Sequence, residues 1–164
     1  MARLKAVLGS AIFLIVAPGT VAGLVPWLIS HWDIRPGPWV LRVAGALLIV
    51  AGGVTLLAAF ARFAWQGLGT PAPIAPTRQL VTRGSYAHVR NPMYLAVIAT
   101  IVGQAMLLPS LPLLGYAAAV AAAMVSFVRL YEEPHLLATY PQEYADYRLH
   151  VPGWIPRLRP WSPH

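Results

Sequence analysis

Two stretches of the chain set polar and titratable side chains hard against long apolar runs. The first, RGSYAHVRNPMYLAV at residues 83–97, places Arg83, His88, Arg90 and an Asn-Pro step directly before a hydrophobic segment. The second, RLYEEPHLLATYPQEYADYRLHVPGWIPRL at residues 129–158, carries Glu132 and Glu133, then His135 and a series of tyrosines. Carboxylates at the C-terminal end of an apolar helix are opposed by the helix dipole and need partners. Arg129, three residues before Glu132 and four before Glu133, offers an intrahelical ion pair as the plain structural explanation. Glu132, Glu133 and His135 also put carboxylate and imidazole within a helical turn, but the motif occurs once and lacks the second copy that a di-metal bundle needs, so no metal site is expected. His88 and His150 have the right chemistry for general bases and read more simply as interfacial hydrogen-bonding residues. The chain has no cysteine, which excludes disulfides, thiolate metal sites and a cysteine nucleophile.

The elements that must position these groups belong in a bilayer. With 58% hydrophobic and only 10% charged residues over 164 positions, there is too little polar surface to coat a water-soluble globule. A span needs ~20 apolar residues, and stretches of that kind lie at about 6–29, 39–61, 93–108 and 111–130. About four transmembrane helices follow. The third and fourth, separated by Pro109 and Pro112, form a C-terminal helical hairpin that crosses and returns. The first stretch follows a basic leader, MARLK, yet continues through LVPWLIS beyond a signal-peptide core, so it reads as a span with a kink at Pro18. Basic residues near span ends prefer the cytoplasm. An inside N-terminus puts Arg3, Lys5, Arg62, Arg78, Arg83, Arg90, Arg129, Arg148, Arg157 and Arg159 on the cytoplasmic side, against Arg35 and Arg42 outside. Trp27, Trp32 and Trp39 then anchor the outer interface. The net charge of +7 is dispersed over span ends, which argues for membrane topology and against nucleic acid.

This topology gathers the loop at 62–92 and the tail at 131–164 on one face, with four of the five acidic residues. The loop contains Gly67, Gly69 and Gly84, which permit positive φ or close approach, and Pro71, Pro73 and Pro76, which restrict φ. Its Gly-x-Gly has no surrounding βαβ unit and is not a dinucleotide fingerprint. After Pro134, the spacing of Leu136, Leu137, Tyr140, Tyr144 and Tyr147 predicts a cytoplasmic amphipathic helix with an aromatic face, ended by VPGWIP. The expected fold is an all-α integral membrane protein in which residues 1–164 form a single domain.

GLGTPAP, LVTRGSYAHVRNPMY and EEPHLLATYPQEYADYRLHVPGWIPR, taken in this order over roughly residues 60–158, resemble the linked motifs of the isoprenylcysteine carboxyl methyltransferase and phospholipid methyltransferase superfamily. The resemblance implies an integral membrane enzyme that transfers a methyl group from S-adenosylmethionine to a lipid or other hydrophobic acceptor, whether carboxylate, amine or thiol. By position, Gln79, Leu80, Val81, Tyr86, Asn91, Pro92, Met93 and Tyr94 resemble the cofactor-binding segment, and Glu132 the cofactor-binding glutamate. Arg129 and Glu133 become candidates for acceptor binding or proton handling. Many relatives have Arg-His-Pro where this chain has Arg90-Asn91-Pro92, which removes an imidazole and any base that depends on it.

These roles suit the cofactor's chemistry. Glu132 can oppose its ammonium, amides near Gln79 to Val81 can serve polar groups, and Tyr86 or Tyr94 can flank adenine. The implied location is the cell membrane with both termini cytoplasmic, and the implied partners are a lipid-like acceptor and membrane lipids. Two alternatives remain on the sequence alone: a nicotinamide-dependent membrane reductase of a sterol or isoprenoid, and a non-catalytic membrane scaffold. The acceptor's identity and the oligomeric state stay open.

Overall fold

The computed structural model describes residues 12–66 and 80–162. Among the described residues every regular element is helical. Helix α1 covers Ile12–Ser30, α2 Trp39–Gln66, α3 Pro92–Leu107, α4 Leu111–Thr139 and α5 Pro141–His150. A single 3-10 turn, Gly84–Ala87, precedes α3. Proline stands in the first turn of α3, α4 and α5, where its fixed φ suits a helix and its missing N–H costs nothing. The Asn-Pro step of the first polar stretch is therefore the start of α3.

Among the described residues three helices are long and apolar enough to cross a membrane: α1, the Trp39–Arg62 part of α2, and α4, with 19, 24 and 29 residues. Helix α3 has 16 residues, about 24 Å at ~1.5 Å per residue against a hydrocarbon core of ~30 Å. The four expected spans thus resolve into three of full length and one short apolar helix. Contacts at both ends show that α3 still runs the same course as α2. At one end, Pro109 beyond α3 packs against Gly37 in the link before α2, and Trp32 Nε1 donates to Gln104 Oε1 at 3.1 Å. At the other, Arg62 lies against Gly84 just ahead of α3. The two helices cross closely because both carry glycine at the contact: a Cβ on Gly45 would sit 2.5 Å from the Gly103 carbonyl oxygen. Small residues of this kind let helices pack where lipid offers no hydrophobic drive. Large apolar side chains such as Ile15, Val16, Leu47, Val50 and Leu111 face outward, as a bilayer solvent requires.

Both long helices that contain an internal proline widen by one turn just before it. In α1 the wide turn is Thr20–Leu24, ending two residues before Pro26; in α4 it is Val128–Glu132, ending two residues before Pro134. The helix passes through Pro18 without ending. In the wide turns Val25 N–H donates to Thr20 O, and Glu133 N–H to Val128 O, one residue further back than usual. The shifted register relieves the clash that a proline ring makes with the carbonyl four residues before it. In α1 it also strands the carbonyls of Val21 and Ala22, and side chains of neighbouring helices take them: Tyr116 Oη donates to Val21 O at 2.9 Å and Gln104 Nε2 to Ala22 O at 2.7 Å. Backbone groups at membrane depth must be satisfied in some such way.

The same device corrects one boundary. The amphipathic helix expected after Pro134 begins instead at Pro141, because the wide turn carries α4 through Pro134 as far as Thr139. The break comes at Tyr140, with φ −131° and ψ 66°. Leu136 and Leu137 therefore end α4, while Tyr144 and Tyr147 lie buried on α5. They pack with Val151 against Leu80, Leu136 and Trp161.

Candidate functional site

The polar end of the bundle is closed by the chain's own tail. Residues after α5 run back along the segment that leads into α3, through Arg157 N–H to His88 O at 2.9 Å, Trp161 N–H to Ala87 O at 3.0 Å and Arg90 N–H to Pro152 O at 2.9 Å. The buried Asn91 adds a bond from Nδ2 to Gly153 O at 3.1 Å. Where many relatives of the resemblance carry histidine, this asparagine pins the tail. The ring of Trp154 in the tail lies 6.4 Å from that of Tyr94.

Above this seam is a cavity of about 570 Å³, within the ~300–1,000 Å³ usual for small-molecule sites. Leu80, Val81, Tyr86, Asn91, Pro92, Met93, Tyr94 and Glu132 all line it, so the structure brings together every described residue assigned to cofactor binding. Gln79 lies outside the described residues. Glu132, in the wide turn of α4, accepts a hydrogen bond from Tyr94 Oη at 2.7 Å, which fixes a carboxylate on the cavity wall. Glu133 points elsewhere. It pairs with Arg90 at 2.9 Å and more distantly with Arg148 at 3.9 Å, and it does not line the cavity. The same Arg90 Nη1 donates to Tyr144 Oη at 3.2 Å, so one guanidinium ties the start of α3 to α4 and α5.

The expected pairing of Arg129 with the glutamates is replaced by these contacts. Arg129 is exposed and does not line the cavity. Its side chain leaves the helix on another face because the wide turn rotates the residues after it away from a regular register. His88 is also outside the wall, its Nδ1 2.8 Å from Arg157 O, and His150 is exposed, 3.3 Å from Asp146. His135 does line the cavity, its ring parallel to that of Tyr131 at 6.1 Å.

The tyrosines here remain proton donors. Burial raises the Tyr86 phenol above its usual pKa, with the charge of Glu132 adding to the effect. Burial likewise raises Tyr147, opposed by the Arg90 charge, and Tyr147 Oη donates to Tyr86 O at 2.6 Å. The other half of the cavity is apolar and comes from distant sequence: Phe13, Pro18 and Val21 of α1, Phe60 of α2, and Met124 and Phe127 of α4. Nothing in the motifs pointed to α1, whose contribution is shape and not chemistry. The cavity thus pairs a held carboxylate and phenols at one end with a greasy trough at the other.

A family model described as phospholipid methyltransferase matches residues 40–143. The chain belongs to the phospholipid methyltransferase family. The match begins at the start of α2 and ends inside α5, so it contains the wide turn with Glu132, the start of α3 and the close α2–α3 crossing. No curated protein and no solved structure shows a significant match to the chain. Membership of this phospholipid methyltransferase family, with three apolar helices of spanning length among the described residues, makes the chain a membrane methyltransferase.

Proposed function

We propose that the protein transfers a methyl group from S-adenosylmethionine to a lipid or other hydrophobic acceptor at the cytoplasmic face of the cell membrane. The observation that carries this reading is the single cavity in which Glu132, held by Tyr94, shares a wall with Tyr86, Leu80 and Val81 while α1 and α4 supply an apolar trough. The residues fit the cofactor: a fixed carboxylate suits its ammonium, and phenol rings suit a purine face. When bound, S-adenosylmethionine supplies an electrophilic methyl group on a sulfonium.

The chain's own residues have the remaining tasks. Glu132 orients the amino-acid end, Tyr94 holds Glu132, and Phe13, Phe60 and Phe127 exclude water from the trough where an acceptor aligns. A carboxylate or thiolate acceptor needs no base. An amine acceptor arrives deprotonated or gives its proton to a group on the wall, and of the titratable candidates His135 and Glu132 are there whereas Glu133 and His88 are not. The test is methyl transfer from labelled S-adenosylmethionine into a fractionated native lipid extract, run beside thermal unfolding of the detergent-purified protein. Incorporation into a lipid fraction, with stabilisation by S-adenosylhomocysteine and none by NADPH, is the expected result. Stabilisation by NADPH alone would favour the reductase, and neither signal would leave a scaffold.

A further inference from the structure

A second cavity lies at the end of the bundle opposite Glu132, between the first turns of α2 and the last turn of α3. It measures about 530 Å³, and its wall includes Arg42 and Ile49 of α2, Gln104, Leu107 and Leu108 at the end of α3, and Trp32. Two of its polar side chains satisfy each other and α1: Trp32 Nε1 donates to Gln104 Oε1 at 3.1 Å, and Gln104 Nε2 donates to Ala22 O at 2.7 Å. Arg42 is different. Among the described residues it makes one hydrogen bond, from Nη2 to Arg35 O at 2.6 Å, and its Nε is buried with no partner. No carboxylate among the described residues is in ion-pair distance of it, since the ion pairs gather at the other end on Arg90, Arg148 and His150. A buried N–H without an acceptor and a guanidinium without a counter-charge are both costly where lipid replaces water.

We infer that this cavity binds an anionic phospholipid, with the headgroup phosphate on Arg42 and an acyl chain along Ile49, Leu107 and Leu108. The site is separate from the cavity at Glu132, and the inference does not depend on the cofactor reading. The walls belong to apolar helices of a membrane protein, so lipid is the molecule at hand to fill an apolar groove. A phosphate offers two acceptor oxygens to the planar fork of a guanidinium, and it lies at the membrane surface, where an arginine on its apolar stem delivers its head. Helix α3 ends at Leu107, short of a full hydrocarbon thickness, which brings the headgroup layer to this end of the helix. No acid lines the cavity, so the ammonium of a zwitterionic headgroup would meet the guanidinium with no carboxylate to receive it. A headgroup of net negative charge has no such conflict.

Native mass spectrometry tests this on the full-length protein, stripped of lipid in detergent and titrated with dioleoylphosphatidylglycerol or dioleoylphosphatidylcholine. One phosphatidylglycerol is expected to bind per chain, about fivefold more tightly than phosphatidylcholine. Arg42→Gln should abolish that preference and Arg42→Lys recover part of it, while Arg35→Gln, an exposed cation at the same end but off the cavity wall, should retain it. A phosphatidylglycerol with a diazirine in its acyl chain should crosslink the unmodified protein at peptides containing Ile49 or Leu107, a readout that stands even if a variant fails to fold. Equal affinity for the two lipids, a preference that survives Arg42→Gln in a folded protein, or crosslinks confined to other segments would each overturn the inference. Glycerol 3-phosphate, which has the phosphate without the chains, should not displace the lipid at equal concentration. Displacement by it would make this a site for a soluble phosphate and would likewise overturn the assignment to lipid.

Discussion

Glu132 keeps one orientation because a single phenol holds it, and that makes its contribution separable. Glu132→Gln retains the shape and a hydrogen-bonding oxygen for Tyr94 but removes the charge, so S-adenosylhomocysteine affinity is expected to fall by about 1.5–3 kcal/mol. Tyr94→Phe leaves the charge and frees its direction, and should cost about 0.5–1.5 kcal/mol. Calorimetry on both variants, with helical circular dichroism to confirm folding, checks the order. Equal affinities for all three proteins would return Glu132 to a helix-end role. Arg129 gives the contrasting case: exposed and off the wall, its replacement by alanine should leave cofactor affinity unchanged, so any fall in turnover would lie with the acceptor. The residue types of the wall were legible because carboxylate, phenol and the Asn-Pro step are conspicuous in an apolar chain. Their partners were not. Spacing offered Arg129 to Glu133, yet Arg90, 43 positions away in sequence (133 − 90), holds it, because a wide turn changes which side chains share a face.

At the scale of the helices, apolar length and proline fixed most of the architecture in advance, but hydropathy carries no signal for a wide turn. A proline inside a span reads as a kink or an end; here both Pro26 and Pro134 are absorbed by a shifted hydrogen-bond register. The consequence in α1 is testable. Gln104 Nε2 covers the carbonyl of Ala22 while Gln104 Oε1 accepts from Trp32, so Gln104→Leu strands two polar groups at once. Each buried unsatisfied group costs roughly 1–3 kcal/mol, and interhelical bonds in membranes average nearer 0.6 kcal/mol. A loss of about 1–3 kcal/mol is expected for Gln104→Leu and about 1 kcal/mol for Tyr116→Phe, read as lowered midpoints of denaturant unfolding in detergent. Cofactor affinity should hold, since neither residue lines the cavity. If Gln104→Leu unfolds at the same midpoint, the freed carbonyls of α1 need no side-chain partner. The amphipathic helix was displaced for the same reason: of its expected face only Tyr144 and Tyr147 lie on α5, Leu136 and Leu137 end α4 and Tyr140 forms the break, because the new helix starts at the proline that the register could not absorb, Pro141, and not at the one it could.

For the molecule as a whole, the open question is which way it lies in the bilayer, and the fold sharpens the argument from charge. The link carrying Arg35, to whose carbonyl Arg42 in the first turn of α2 donates, touches the α3–α4 turn through Gly37 and Pro109, so these segments share one end of the bundle. Arg62, Arg90, Arg148 and Arg157 share the other, where α5 and the tail close over the start of α3. Basic residues divide between the two ends in the way that favours a cytoplasmic position for the richer one. The chain's lack of cysteine makes the arrangement directly measurable. Single cysteines at Ile34 and Leu158, both exposed at 72% and 97%, report on opposite ends. In intact cells a membrane-impermeant maleimide should label Ile34→Cys, and Leu158→Cys only after permeabilisation. The short α3 makes the experiment informative beyond orientation. If it crosses the bilayer with α2, a cysteine at the exposed Leu111, just beyond the α3–α4 turn, should label like Ile34. If Leu111→Cys behaves like Leu158→Cys, α3 does not complete a crossing, and the helical hairpin must dip into one leaflet and return. Reversed labelling of Ile34 and Leu158 would place the cavity mouth outside the cell, away from the cytoplasmic cofactor supply, and would defeat both the topology and the proposed site of reaction together.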